Sequence, residues 1–244
     1  MPIDHVTALE QEAAALVASA RDGKFDAPVP SCPGWDRLRL FRHLGMVHRS
    51  VTVTVETGEQ ADRAALGSAP KDGDLIADWL EEGVAALADA LRRTDPAKPA
   101  WNPFGIEPVV ASWRRRMAHE TAVHRWDAQQ AIGEPTPVDA ALASDGVDEF
   151  LTGFLPRDVR ERGAALPSGT LHLHATDAEG EWTLRAGPAG PEVDRGHAKG
   201  DAAVRGTASD LLLLVWHRLP REGGPFEVFG DTDVADAWLA LAHP

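Results

Sequence analysis

The stretch HETAVHRWDA, residues 119–128, decides how this chain is read. Its Glu120 and His124 are four residues apart, which on an α-helix puts both side chains on one face, one turn apart. A carboxylate and an imidazole so placed can share a divalent metal, but two ligands rarely suffice. The natural third is His43, in LRLFRHLGMVHRS at residues 38–50, which has a helical pattern of its own. If the two helices pack together, His43, Glu120 and His124 converge into a 2-His-1-carboxylate site. Three protein ligands leave a position open, the arrangement that separates catalytic from structural zinc.

The periodicity around these residues supports that reading. The inward stripe expected of the 119–128 helix is Trp113, Met117, Glu120, His124 and Asp127 or Ala128. Polar groups in mid-stripe cost free energy unless paired or metal-bound. His43 likewise interrupts an apolar stripe of Leu40, Leu44, Val47 and Val51. A ligand imidazole donates its other N–H to a carboxylate or carbonyl, and Asp127 or Asp36 can serve. His119 and His48 fall one position off the preferred faces and read as supporting or surface groups. Arg114, Arg115 and Arg116 read as a solvated face with partners such as Glu120, or else as an anion-attracting rim above the metal. His172 and His174 share a strand face by alternation and read as a polar sheet face. Cys32 reads as a small, partly buried residue and not as a nucleophile.

Amphipathic stripes at 3.6-residue spacing predict helices over about 3–21, 36–56, 74–93 and 109–132, the last stopping at Gly133. Four such helices argue for a bundle, whose core is a common place for metal ligands on facing helices. A further helix is predicted over 139–155. Strands then follow at 171–176, 181–186, 202–206 and 226–230, with helices after Thr207 and over Thr232 to Ala242. The fold class is α+β: a helical bundle over residues 1–155 and a small α+β domain over 165–244, divided within Pro156 to Pro167.

Composition narrows the function. The chain has 244 residues, 43% of them apolar, and a formal net charge of -14. An acidic surface without a long basic run repels phosphate backbones, so no nucleic-acid partner is expected. A lone cysteine forms no intramolecular disulfide, which fits a reducing cytoplasm. The polar, acidic N-terminus carries no secretory pattern. No apolar run approaches the roughly 18 residues of a membrane span, so no membrane partner is expected.

Beyond these physical readings, SCPGWDRLRLFRHLGMVHR (31–49) followed by MAHETAVHRWDAQQAIG (117–133) closely resembles the mycothiol-dependent maleylpyruvate isomerase family, within the DinB-like metal-binding four-helix-bundle superfamily. The tail, GTASDLLLLVWHRLP (206–220) and FEVFGDTDVADAWLA (226–240), resembles that family's C-terminal domain, similar to sterol-carrier-type modules. The resemblance covers nearly the whole chain. It implies His43, Glu120 and His124 as ligands of Zn2+ or another divalent metal. It also implies mycothiol as the thiol cofactor and an actinobacterial, cytoplasmic setting.

On that reading the chain is an enzyme that activates a thiol for addition to an electrophilic small molecule. In maleylpyruvate isomerisation the thiolate would add to a cis double bond, the bond would rotate, and elimination would give the trans isomer. Thiol S-transfer is the other outcome of the same chemistry. The alternative is a non-catalytic metal- or small-ligand-binding protein, with the C-terminal domain holding an apolar ligand. An anionic substrate needs a fixed cation, and Arg218, then Arg205, are the candidates in the C-terminal domain. A monomer or homodimer is expected.

Overall fold

A computed structural model describes residues 3–241. The chain divides into two compact units, Met1–Thr136 and Pro137–Pro244.

The first unit is built on α1 (His5–Ala20), α2 (Arg37–Thr57), α3 (Ile76–Arg93) and α4 (Val110–Gln130). Asp4 starts α1 by accepting hydrogen bonds from the amides of Val6 and Thr7, and Asp36 starts α2 by accepting from Arg39; each satisfies amides that the first turn leaves without helical partners. The predicted stripes turn inward: Leu9 and Leu16 on α1, Leu40 and Leu44 on α2, and Leu80, Leu87 and Leu91 on α3 are fully buried. Helix α1 packs on α3 and α4, and α2 also packs on α3 and α4, so α2 and α4 stand side by side. That adjacency is what the expected metal site requires.

Helix α4 departs from a simple stripe. It is buried on nearly every side from Arg116 to Ala128, as befits the central helix of the unit. The solvated reading of the arginine triplet is therefore corrected. Arg116 is buried and pairs with Glu120, and Arg114 donates to the carbonyls of Leu91 and Thr94 at the end of α3. Arg114 thus satisfies carbonyls that a helix C-terminus leaves open. Arg125 faces α1, where it pairs with Glu12 at 2.7 Å.

The second unit contains α5 (Ala140–Glu149), a π-helical turn at Phe150–Phe154, α6 (Leu155–Arg162), α7 (Ala208–Val215), α8 (Thr232–Leu239) and a five-stranded sheet. Its strands are β1 (Leu171–Ala175), β2 (Glu181–Gly187), β3 (Gly190–Arg195), β4 (Ala202–Gly206) and β5 (Glu227–Gly230). The sheet order is β3-β2-β1-β4-β5, with β1 and β4 parallel and the other pairs antiparallel. Leu171 and Leu173 on β1 point to the buried face, and His172 and His174 alternate to the other.

Two expectations are revised here. The division falls at Thr136, ahead of the predicted Pro156 to Pro167, because α5 packs against α7. Pro156 does not break the chain into a linker either; it directly follows the π-helical turn in a helical run continuous from α5, so its missing N–H falls where the α-helical hydrogen-bond pattern is already interrupted. Strand β3 was not legible, because Gly190 and Pro191 read as turn residues; it is an edge strand, where proline is tolerated. Of the last predicted helix, Ala242 lies outside the described residues.

Close packing of α2 on α3 depends on Gly45. A Cβ there would collide with the indole of Trp79, which is itself held beneath the Arg49 guanidinium. Gly45→Ala is expected to destabilise the protein by about 1–2 kcal/mol. That is the upper part of the overpacking range, roughly 2–3 kcal/mol because the clash is with a ring stacked under Arg49, less the ~1 kcal/mol that alanine gains in a helix. A denaturant midpoint at or above that of the parent protein would refute this.

Candidate metal centre

The three expected ligands meet. His43 projects from α2, and Glu120 and His124 project from α4, with ligand atoms all within 4.8 Å of one another. Glu120 Oε1 lies 3.3 Å from His124 Nε2 and 3.8 Å from His43 Nε2. The other oxygen, Oε2, accepts from Arg116 Nη2 at 2.8 Å. One carboxylate oxygen is thus tied back by a buried guanidinium while the other faces both imidazoles.

The surroundings orient these groups. His124 Nδ1 donates to Asp127 Oδ2 at 2.9 Å, which directs Nε2 toward Glu120. Of the two carboxylates considered for this role, Asp127 fills it and Asp36 caps α2. Asp127 also accepts from the Ser31 hydroxyl at 2.6 Å, and Cys32 Sγ stands 4.0 Å from it. These residues arrive on a loop pinched shut by the bridge between Pro28 and Asp36, in which Gly34 takes a φ of 80°. The same loop lays Trp35 edge-on to His43, with ring centroids 5.0 Å apart. The motif Ser31-Cys32-Pro33-Gly34-Trp35 therefore serves the site from outside the helices.

His48 and His119 are both fully buried, which corrects the surface reading for each. His48 Nε2 lies 2.9 Å from the Thr121 hydroxyl. Burial pushes its pKa down to about 4 against the attraction of Glu120, so it is neutral.

The electrostatics follow from one enclosed anion. Burial acts against the charge on Glu120, but His124, His43 and Arg116 together hold its carboxyl well below the usual range. Burial likewise opposes charge on His124; the Glu120 carboxylate and the bond to Asp127 override it and push the pKa up to about 9. In the absence of a metal a proton on His124 balances the carboxylate. A divalent cation replaces it with a denser charge, and the donor set of two imidazoles and one carboxylate suits zinc. The residues present therefore fit the metal.

His43 and Glu120 open on a cavity of about 390 Å³ walled by Val47, Trp101, Phe104, Trp113 and Met117. On its other side His43 borders a cavity of about 470 Å³ that includes Trp35, Arg39, Arg42 and Arg63. Arg63 lines both. These three arginines were missed from the sequence. Arg39 and Arg42 precede His43 by four residues and one, so they read as an exposed helix face, and Arg63 lies in a connection without periodicity. The expected arginines have local partners in the second unit. Arg205 pairs with Glu227 at 3.5 Å, and Arg218 donates to the Trp216 carbonyl at 2.8 Å.

Residues 6–129 match the N-terminal domain of mycothiol maleylpyruvate isomerase, and residues 141–237 match the C-terminal domain of the same family. The chain belongs to the mycothiol maleylpyruvate isomerase family. The crystal structure of the mycothiol-dependent maleylpyruvate isomerase, and that of a mutant of it, each superpose with a TM-score of 0.61 over 93% of both chains. At 14% identity that likeness is one of fold. Sterol carrier protein 2 like 2 from Aedes aegypti matches 42% of this chain and 98% of its own at 22% identity; a TM-score of 0.30 is too low to speak for a shared fold. No curated protein matches the sequence. No helix among the described residues is long and apolar enough to cross a membrane.

Because metal must displace the proton on His124, apparent zinc affinity is expected to rise with pH, by about tenfold per unit well below pH 9. Competition against a chromophoric chelator measures this, and an affinity independent of pH would remove His124 from the site. His124→Ala is expected to lose most of the metal held here. Asp127→Asn keeps the ligands but loses their orienting acceptor, and is expected to weaken binding by roughly 10–100-fold.

Proposed function

We propose that this chain is a zinc-dependent enzyme that uses mycothiol to isomerise a cis-unsaturated dicarboxylate of the maleylpyruvate type. The observation that carries this is the convergence of His43, Glu120 and His124 beside two cavities, in a member of a family described by that reaction. A divalent ion held by these residues would supply a Lewis acid that favours the thiolate of an incoming thiol at neutral pH.

The chain's own residues do the rest. Arg116 holds Glu120 Oε2, which leaves Oε1 for the ligand position. Asp127 holds the proton on His124 Nδ1, which leaves Nε2 as the donor atom. Trp101, Phe104, Trp113 and Met117 offer an apolar wall against which a thiol's carbon chain or the substrate's hydrocarbon part can pack. Arg39, Arg42 and Arg63 offer forked donors to carboxylates on the other side.

The alternative of an apolar ligand in the second unit finds little room in the gap described between its sheet and helices. The gap among Phe150, Leu173, Trp238 and their neighbours measures about 10 Å³, no more than one water needs.

The test is turnover of maleylpyruvate by zinc-loaded protein with and without mycothiol, followed as formation of the trans isomer. Turnover is expected only with the thiol, and Cys32→Ser is expected to retain most of it. Turnover without thiol that Cys32→Ser abolishes would place the nucleophile on the chain. A stable thioether product would make the protein an S-transferase. Removing a cation that binds the substrate is expected to raise KM by roughly tenfold or more, the effect of losing a charged hydrogen bond. Comparing Arg63→Ala and Arg42→Ala with Arg218→Ala and Arg205→Ala identifies which cations serve.

A further inference from the structure

A second cluster of ligand-type side chains lies in the second unit, on the face of the sheet opposite its core. His172 and His174 alternate on β1, which puts both on that face. The antiparallel register sets Glu181 of β2 opposite His174, and Thr183 opposite His172. His197 follows β3 on a loop that starts at Gly196, where a φ of 107° turns the chain and the amide donates to the Glu181 carbonyl at 2.9 Å. At Gly200, at the end of that loop, a Cβ would come within 2.5 Å of the Ala202 carbonyl oxygen and 3.0 Å of the His172 amide nitrogen, so no side chain fits. The loop is therefore pinned over the sheet at both ends, with His197 between them.

The four side chains converge on one atom. Glu181 Oε2 lies 2.8 Å from His197 Nδ1, 3.1 Å from His172 Nε2 and 3.8 Å from His174 Nδ1. The ligand atoms of all four residues are within 4.8 Å of one another. A single carboxylate charge balances one protonated imidazole and no more. A second proton among three neighbouring rings would set cation against cation. Three imidazoles crowded around one carboxylate are a donor set that suits a divalent metal such as zinc.

We propose that His172, His174, Glu181 and His197 form a second zinc site, separate from the one in the bundle. Four protein ligands close the coordination sphere, so this site is structural: it fastens the 196–200 loop to β1 and β2. Thr183 supplies the outer support. Its hydroxyl lies 2.9 Å from His172 Nδ1 and can accept that N–H, which frees Nε2 for the metal. A tetrahedron with bonds of about 2.0 Å has donors roughly 3.3 Å apart, so the cluster contracts on binding. His197, at 80% exposure, is free to make that movement.

The experiment uses untagged, full-length protein in which His124→Ala disables the bundle site. Titration with Zn2+ and recovery through gel filtration are expected to leave one equivalent bound, with a raised Tm. His124→Ala combined with His174→Ala and His197→Ala is expected to retain none, and its Tm is expected to be insensitive to zinc. Neither added change touches the core, and circular dichroism of the metal-free proteins checks that both fold. Equal zinc content in the two variants, or none in the first, would overturn the proposal. Two equivalents in the first variant and one in the second would support this site while showing that the bundle site had been misassigned.

Discussion

Glu120 is an anion set inside a helical bundle, and its unit is arranged around satisfying it. An unpaired carboxylate at such a position costs several kcal/mol. Three groups offset that cost: Arg116 on one oxygen, and His124 and His43 toward the other. Each brings its own constraint. Arg116 must be buried one turn before Glu120 on α4. His124 must be held by Asp127, which in turn fixes the loop through Ser31. His43 must come from a different helix, which requires α2 and α4 to be neighbours. The packing of α2 on α3 through Gly45 and Trp79 therefore bears on the metal centre without touching it.

The same charge balance explains the division of labour between the sides of His43. Trp101, Phe104 and Trp113 give the cavity beside Glu120 an apolar wall, and a wall of low polarizability screens charges less than water does. The arginines on the other side compensate in a chain whose net charge is -14. For an acidic protein to take the proposed dicarboxylate its cations must be concentrated locally, and Arg39, Arg42 and Arg63 provide that concentration within the same unit as His43, Glu120 and His124.

Residue clusters of similar composition arise by different routes in the two units. In the bundle, i,i+4 spacing on one helix and packing against another assemble two imidazoles and a carboxylate. On the sheet, alternation on β1, register with β2 and a glycine-turned loop assemble three imidazoles and a carboxylate. Around a zinc ion, three ligands from the first cluster would leave room for a reacting ligand, and four from the second would leave none.

Helical periodicity by itself determined α1 to α4, because each buries a stripe long enough to show a 3.6-residue repeat. It also determined that Glu120 and His124 share a face, since that follows from helix geometry alone. The sequence offered His43 as the partner but could not place it, because helix adjacency is set by packing across the whole bundle. Edge strand β3 was hidden by Gly190 and Pro191, whose turn chemistry is tolerated where one side of a strand has no partner. The burial of Arg116 and the docking of Arg114 on α3 were hidden as well, since a charge run reads as solvated until a neighbour's carboxylate or open carbonyls receive it. Glu181 and His197 join His172 and His174 only through strand register and a loop closure. Those contacts are long-range in the chain, and only the tertiary structure decided them.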